Sequence, residues 1–183
     1  VRTGSGVINK TIKKIFKSLN ISVVFEPDYK YNEKLLDSSG GINFYYGGWH
    51  CEKYFVSIRA EIIRRYNFKR FIDPVNDKYL EEIRQTNSVA VHIRRGDYLE
   101  GINADIFGDV CTLEYYKNAF KLIESKINSP HYFIFSNDMD WAEKNITKKN
   151  VTFVDCNKGK DSWIDMYLMT QCIHNIVSNS TFS

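Results

Sequence analysis

The sequence predicts an α/β fold built around a parallel sheet of the Rossmann type. After residue 87, short apolar segments and amphipathic segments alternate four times along the chain. The apolar segments are hydrophobic throughout instead of alternating with polar residues, which is typical of strands covered on both faces. With 43% hydrophobic and 15% aromatic residues, the 183-residue chain has enough apolar side chains for a packed core.

The elements of the first half are less regular. Apolar residues near a 3.6-residue period, with lysines between them, predict an amphipathic helix over residues 7–19. Strands are expected over Ile21–Phe25, which Pro27 ends, and over Ile42–Tyr46, which two glycines close. A helix is expected over residues 51–66.

A polar segment separates the two halves. Asp73-Pro74 predicts a turn, and a polar helix is expected through Tyr79–Arg84, ahead of residues 86–88. We place the domain boundary after this helix. It gives a partial N-terminal α/β region over residues 1–87 and a Rossmann-like domain over residues 88–183.

The second half repeats a strand followed by a helix. Ser129-Pro130 marks the end of the first of these helices. Because such alternation produces right-handed β-α-β crossovers, the strands should run parallel with helices on both faces of the sheet. In chain order we expect strand Val89–Ile93, helix 113–127, strand 131–136, helix 138–145, strand Val151–Val154, helix 162–172 and strand 175–178.

The charge balance disfavours a nucleic-acid-binding protein. The formal net charge is only +3 and no block of like charge occurs. No signal peptide or transmembrane run is recognisable, so we expect a cytoplasmic protein. The lysines of the first helix could touch an anionic membrane surface, which would place the protein at the inner face of the membrane, although a solvated helix face is the usual case.

The cysteines and histidines form no recognisable metal site. The four cysteines lie far apart and include no C-x-x-C pair. A zinc site from His50-Cys51 with Cys172 and His174 is conceivable, but its spacing matches no usual ligand pattern. We expect free thiols in a reducing compartment.

Polar segments follow all four predicted strands of the second half. They read HIRRGDY, SNDMD, DCNKGKDS and SNSTFS. In open parallel sheets, ligands bind beyond the carboxyl ends of the strands, so these segments could line one crevice. The sequence therefore places the candidate site at this edge of the sheet.

Two adjacent arginines indicate an anionic ligand in this crevice. Arg94 and Arg95 carry planar guanidinium groups that bind phosphate oxygens through paired hydrogen bonds, which suggests a nucleoside diphosphate. In the structural alternative, Arg95 pairs with Asp97 and Arg94 reaches solvent. Hydroxyl groups of the last polar segment could hold further oxygens, namely those of Ser180, Thr181 and Ser183.

The acids near the strand ends also allow two interpretations. Asp138 and Asp140 could hold a divalent metal ion. Acids at a strand-to-helix corner ordinarily cap exposed N–H groups, and we favour capping here. Ser162 and Asp165 approximate a capping box at the start of the next helix, so Asp165 is either a cap or a ligand-binding group.

Several segments resemble those of the bacterial α-1,2-fucosyltransferase family. HIRRGDY is similar to the H-x-R-R-G-D signature of that family, and three longer segments match it in the expected order: YYGGWHCEKYF, FIFSNDMDWAEKNI and WIDMYLMTQCIHNIVSNSTFS. The resemblance covers nearly the whole chain after Ile21. It implies a GT-B-like fold, GDP-fucose as donor substrate, inversion at the anomeric carbon, and no metal or other cofactor. The implied acceptor is a galactose-terminated oligosaccharide, which receives fucose on its 2-hydroxyl group.

The resemblance also implies roles for individual residues. Arg94 would contact the donor β-phosphate, and Arg95 would shape the same pocket. His92 and Asp165 would help to hold guanine, whose paired N–H donors suit a carboxylate. We therefore assign donor binding to His92, Arg94, Arg95, Asn137, Asp165, Ser180, Thr181 and Ser183, and catalysis to Arg94, Arg95 and Asp97.

The identity of the general base stays open. A sugar hydroxyl acceptor ordinarily needs a base within hydrogen-bond reach. A departing phosphate oxygen could itself take the proton. The side-chain candidates are Asp97, Glu100, Asp105 and His92.

The sequence departs from the family at both ends. It lacks the glycine-rich opening segment expected of the family, and it stops at residue 183, where the family continues. We therefore expect a fragment, with residues 1–87 on the acceptor side and residues 88–183 binding the donor. Two other functions stay open: a metal-dependent glycosyltransferase using Asp138 and Asp140, and an inactive nucleotide-sugar-binding fragment.

Overall fold

The computed structural model describes residues 15, 16, 18–28, 30–37, 41–69 and 72–183. Within these ranges the protein has a mixed α/β fold whose strands pair in parallel. The chain divides into two compact units, Val1–Asn67 and Phe68–Ser183. Most of the helix expected over residues 7–19 lies outside the described residues.

The first unit contains a two-stranded parallel sheet. Strand β1, Ile21–Phe25, pairs in register with strand β2, Ile42–Tyr46. Both strands have the bounds that the sequence predicts. The other described elements of this unit are three 3₁₀ turns, Glu33–Leu35, Glu52–Tyr54 and Val56–Ile58, and helix α1, Arg59–Arg65.

The helix expected over residues 51–66 is α-helical only in its second half, as α1. Neither residue that precedes its helical turns provides a side-chain cap. Tyr54 is buried, and its hydroxyl group accepts a hydrogen bond from Asn32 N at 3.0 Å and donates one to Lys30 O at 3.2 Å. These tertiary contacts hold the first half as separate 3₁₀ turns, because intrinsic helix propensity is weak against packing.

The second unit is built on a four-stranded parallel sheet. The strands are β3, Asn87–Ile93; β4, Pro130–Ser136; β5, Val151–Val154; and β6, His174–Ile176. They lie in the order β5-β4-β3-β6. The chain adds β4 and then β5 on one side of β3, and it then returns to place β6 on the other side of β3. This doubly wound order is Rossmann-like, as the sequence predicts.

Helices connect and flank these strands. The first begins at Pro74, where Asp73 caps it by accepting hydrogen bonds from Val75 N at 2.9 Å and Asn76 N at 3.3 Å. The helices are α2, Pro74–Gln85; α3, Leu113–Glu124; α4, Met139–Asn145; and α5, Trp163–Gln171. Short helical turns occupy Gly96–Leu99, Gly101–Asn103, Ala104–Gly108 and Gly159–Asp161.

Hydrophobic cores lie on both faces of the sheet in the second unit. One core joins the strands to α2 and α5, and the other joins them to α3 and α4. Ala90 and Val91, neighbours on β3, point to opposite cores and are both fully buried. This coverage explains why the strand sequences are continuous apolar runs.

The boundary between the units differs from the one expected after residue 87. Helix α2 belongs to the second unit, which begins at Phe68. Its buried side chains Leu80 and Ile83 complete a core with Ala90 and Phe133 of the sheet. The sequence of α2 is polar enough to suggest a linker, yet the helix buries a narrow apolar stripe.

The cysteines are all free thiols, with Cys172 buried and Cys156 exposed. No helix in the described ranges is long and apolar enough to cross a membrane.

Candidate functional site

The carboxyl ends of the parallel strands open onto a cleft of about 520 Å³. The direction of strand addition reverses between β3 and β6, and ligands of open α/β sheets bind at such a switch point. Residues from the polar segments after β3, β4, β5 and β6 come together here, as the sequence predicts. The lining residues are His92, Arg94, Phe135, Ser136, Asn137, Asp138, Met139, Asp140, Val154, Asp155, Asn157, Lys158, Gly159, Ser162, Asp165 and Phe182.

His92 lies near the end of β3, where it lines the cleft and is only 4% exposed. Its Nδ1 atom lies 3.0 Å from Ser178 Oγ, and its ring centroid lies 5.3 Å from that of Phe182. Burial, and to a smaller degree the positive charge of Arg94, lowers the pKa of His92 to about 4. The imidazole is therefore neutral at physiological pH.

Arg94 follows β3 directly and also lines the cleft. Its Nη2 atom lies 2.9 Å from both carboxylate oxygens of Asp97, and its guanidinium group lies 5.4 Å from the ring centroid of Tyr98. Its Nε atom is buried and has no hydrogen-bond acceptor among the described residues. The guanidinium group is thus held by Asp97 through Nη2, while its buried Nε–H has no acceptor among the described residues.

Arg95 makes a different set of contacts. Its Nε atom donates to Asp138 Oδ2 at 3.3 Å, and its guanidinium group lies 4.0 Å from the ring centroid of Trp141. The structural alternative paired Arg95 with Asp97 and left Arg94 in solvent. That pairing is wrong, because Arg94 takes Asp97 while Arg95 turns toward the start of α4. Arg95 is absent from the lining of the cleft, so it orders the surrounding loop.

Gly96 allows the segments after β3 and β4 to approach closely. Its φ angle is +32°, and an added Cβ atom would lie 2.5 Å from Asn137 Nδ2. Asn137 accepts a hydrogen bond from Arg95 N at 2.8 Å and donates one to Asp97 at 3.4 Å. Asn137, expected as a donor-binding residue, therefore lines the cleft and also ties the arginine segment to β4.

Asp138 is the N-cap of α4, as the sequence predicts. One carboxylate oxygen accepts from Trp141 N at 3.2 Å, and the other accepts from Arg95. Asp140 lines the cleft separately. Among the described residues, no group of three or more His, Cys, Asp or Glu side chains could hold a metal ion. The carboxylate of Asp138 is thus already used by the helix and by Arg95.

Asp165 lies in the first turn of α5 and lines the cleft. Asn157 Nδ2 donates to Asp165 Oδ1 at 2.7 Å and to Asn76 Oδ1 at 2.8 Å, and Asn76 Nδ2 donates back to Asn157 Oδ1 at 2.9 Å. Burial raises the pKa of Asp165 to about 6, against the opposing effect of the Asn157 hydrogen bond. No basic side chain in the described part of the chain forms an ion pair with this carboxylate.

The capping box expected at Ser162 and Asp165 does not form. Ser162 already has helical dihedral angles, because the 3₁₀ turn Gly159–Asp161 leads directly into α5. The Ser162 hydroxyl group donates to Gly159 O at 2.9 Å instead of capping the helix. The structure therefore excludes the interpretation of Asp165 as part of a capping box and leaves the interpretation as a ligand-binding group.

The last polar segment forms a turn beside the cleft. Ser180 Oγ accepts from Phe182 N at 3.2 Å, and Ser183 Oγ accepts from Ser178 N at 3.3 Å. Ser180, Thr181 and Ser183, expected as donor-binding residues, are not among the residues lining the cleft, whereas Phe182 is. The hydroxyl groups of Ser180 and Ser183 organise the turn, and Phe182 is the side chain that lines the cleft.

The acids considered as a general base lie in two settings. Asp97 is exposed and bound to Arg94. Glu100 and Asp105 are exposed in the helical turns after it and do not line the cleft. Of these three acids, only Asp97 is held beside a residue of the cleft.

The sequence analysis did not name individually several residues of this site, among them four that make the contacts described above. Asn157, Ser178 and Phe182 lie inside the polar segments that were singled out, so their position after a strand was the available signal. Asn76 lies on α2, 81 positions from its partner Asn157, and no local pattern marks it.

A doubly wound sheet with arginine and polar loops at its switch point is typical of nucleotide-binding α/β domains. Residues 7–183 match the family described as glycosyl transferase family 11, and the chain belongs to that family. No solved structure matches the chain.

The chain is similar to several glycosyltransferases. It is 31% identical to an alpha-1,2-colitosyltransferase of Escherichia coli, over 96% of this chain and 61% of that protein. It is 38% identical to the O-antigen biosynthesis glycosyltransferase WbnK of Escherichia coli, over 53% of this chain and 32% of that protein. It is 28% identical to the human galactoside alpha-(1,2)-fucosyltransferase 1, over 74% of this chain and 40% of that protein. The chain thus spans less than two thirds of the length of these relatives.

Proposed function

We propose that this cleft binds GDP-fucose and that the chain serves the transfer of L-fucose to the 2-hydroxyl group of a terminal galactoside. The observation that carries the proposal is the buried Nε atom of Arg94, which has no acceptor among the described residues. A buried charged donor without a partner is unfavourable, and a phosphate oxygen in the cleft would supply the missing acceptor.

The proposed chemistry needs a fixed positive charge at this position. Fucosyl transfer breaks the bond between the anomeric carbon and a β-phosphate oxygen, so negative charge grows on the departing GDP. Arg94 is held in place by Asp97 and can stabilise that charge without moving. A preorganised group of this kind typically contributes about 3–4 kcal/mol to lowering the barrier.

Asp165 is proposed to recognise guanine. One of its oxygens is held by Asn157, which fixes the orientation of the carboxylate. A carboxylate can accept both N–H donors on the guanine edge, whereas uracil and adenine present other patterns. The absence of a basic partner for Asp165 among the described residues supports this role, because a carboxylate without an ion pair in a cleft suits a ligand that donates hydrogen bonds.

The reaction is proposed to proceed with inversion and without a metal ion. The carboxylate of Asp138, the first residue of the metal alternative, is taken by Arg95 and by the N-terminus of α4. Proton removal from the acceptor is assigned to a departing phosphate oxygen or to Asp97. We further propose that the second unit is the donor domain of a GT-B enzyme and the first unit part of its acceptor side.

Colitosyl transfer is a second candidate. The relative named alpha-1,2-colitosyltransferase matches along 96% of this chain, more than the human fucosyltransferase does at 74%. Both candidates use the same phosphate and base contacts, and they differ in the sugar alone. Transfer assays with the GDP derivatives of both sugars on the complete protein separate them.

The proposal is tested by nucleotide binding to the 183-residue chain. Melting temperatures are recorded with GDP, UDP and ADP, each in EDTA and in magnesium. We expect GDP to raise the melting temperature most and to do so equally in EDTA. Stabilisation that disappears in EDTA would support the Asp138 and Asp140 alternative, and equal stabilisation by all three nucleotides would contradict guanine recognition.

A further inference from the structure

The hydrogen bond between Ser178 and His92 determines what the cleft offers a ligand. We propose that Ser178 donates to Nδ1 of His92 and holds this histidine as the Nε2–H tautomer, so that Nε2–H donates to an acceptor atom of the nucleotide in the cleft. Ser178 is thus a positioning residue that acts through His92. The identity of the ligand rests on the proposed function, whereas the tautomer does not.

The assignment follows from the acceptors available to the Ser178 hydroxyl proton. Ser178 is buried, and its Oγ atom has two polar neighbours: His92 Nδ1 at 3.0 Å and Ser183 Oγ at 3.5 Å. The longer distance exceeds the normal range of an O–H···O bond. Ser183 Oγ also accepts from Ser178 N at 3.3 Å and has carbonyl acceptors for its own proton at 3.2 and 3.3 Å. Nδ1 of His92 is therefore the acceptor for Ser178.

The opposite tautomer is disfavoured by the same contacts. A neutral imidazole carries one N–H, and if it were on Nδ1 it would donate to Ser178 Oγ. The buried hydroxyl proton of Ser178 would then lack a well-placed acceptor. That penalty favours the Nε2–H tautomer by roughly tenfold or more.

The Nε2 edge of His92 is left for a ligand. No residue in the described part of the chain hydrogen-bonds to Nε2, and His92 lines the cleft. Arg94, two positions further along, brings its own unpartnered Nε donor to the same cleft. Two donors at the carboxyl end of one strand suit a nucleotide, whose phosphate oxygens and base both offer hydrogen-bond acceptors.

Nuclear magnetic resonance of the ¹⁵N-histidine-labelled chain tests the tautomer directly. Long-range ¹H–¹⁵N spectra at pH 7 distinguish protonated from unprotonated ring nitrogens, and His92→Gln identifies the His92 signals among the four histidines. We expect Nε2 protonated and Nδ1 unprotonated in the unmodified chain and in Ser178→Thr. In Ser178→Ala we expect a mixture of tautomers. A protonated Nδ1 in the unmodified chain would overturn the proposal, whatever the variants do.

Calorimetric titration with GDP tests the consequence for binding. Ser178→Ala should weaken GDP binding roughly fivefold or more, because the donor is no longer held in place, and Ser178→Thr should restore it. Ser125→Ala, which removes a surface hydroxyl bonded to Leu122 O, is the matched control. Unchanged GDP affinity in Ser178→Ala overturns the ligand contact. If GDP binds no variant while the tautomer is as expected, the proposed function fails and the tautomer assignment stands.

Discussion

Replacing Arg94 by lysine distinguishes a phosphate-binding role of this arginine from a purely structural role. Lysine keeps the positive charge and can still reach Asp97, but it has no planar fork and no counterpart of the Nε donor. In the unmodified chain that donor is buried and unpartnered at the cleft. The substitution therefore removes the one contact that the proposed function requires and leaves most others.

The expected magnitude follows from the contacts that are lost. A hydrogen bond to a charged group is worth about 1.5–3 kcal/mol, which corresponds to roughly 10- to 150-fold weaker GDP binding. The pair with Asp97 is partly exposed, with side chains 32% and 50% accessible. Such pairs contribute no more than about 1 kcal/mol to folding, so the melting temperature should fall by less than about 4 °C.

Calorimetric titrations measure the affinity for GDP, and circular-dichroism melts of the same samples measure the melting temperature. Arg64→Lys is the matched control, because Arg64 forms a comparable surface pair with Glu61 at 2.8 Å on α1 of the other unit. We expect the control to bind GDP as tightly as the unmodified chain.

The reasoning fails if Arg94→Lys is well folded and binds GDP within about twofold of the unmodified chain. It also fails if Arg94→Lys mainly lowers the melting temperature, because Arg94 would then be a structural residue.

Two further substitutions test the site. Asp165→Asn should weaken GDP roughly tenfold or more while leaving UDP and ADP unchanged, as titrations of all three will show. The folded pKa of Asp165 is raised to about 6, so its ionisation destabilises the fold as pH rises from about 4 to 6. The variant should therefore be more stable at pH 7 by about 1–3 kcal/mol in urea unfolding, allowing for partial exposure. The lowered pKa of His92 makes the fold more stable as pH rises, which is the opposite dependence. The difference in unfolding free energy between the variant and the unmodified chain therefore isolates the contribution of Asp165. Gly96→Ala should lower the unfolding free energy by about 1–3 kcal/mol, because its Cβ atom would meet Asn137. Gly101 is also at positive φ but faces open space, so Gly101→Ala should lower it less. Equal losses of unfolding free energy in the two variants would refute the steric argument.

The elements of the second unit could be predicted from sequence because each has a local signal. Its strands are covered on both faces and therefore appear as continuous apolar runs. Asp73 and Pro74 form the cap and first position of α2, although the sequence analysis interpreted them as a turn ahead of a helix through Tyr79–Arg84. The position of the candidate site followed from the same pattern, since polar segments after parallel strands meet at one edge of the sheet.

The pairings within the site could not be predicted, because they depend on contacts between distant segments. Arg95 meets Asp138, 43 positions away, while its neighbour Arg94 takes Asp97, three positions away. Spacing alone favoured neither pairing. The compact unit begins at Phe68, ahead of the boundary expected after residue 87, and the apolar stripe that joins α2 to this unit becomes visible only against the sheet that it covers.

A crystal structure of the chain with GDP tests the central claim most directly. We expect a β-phosphate oxygen on Arg94 Nε, an acceptor atom of the nucleotide on His92 Nε2, and the guanine edge on the carboxylate of Asp165, with no metal ion between the nucleotide and Asp138 or Asp140. GDP bound away from the carboxyl ends of β3 and β6, or held through a metal ion on Asp138 and Asp140, would contradict the account.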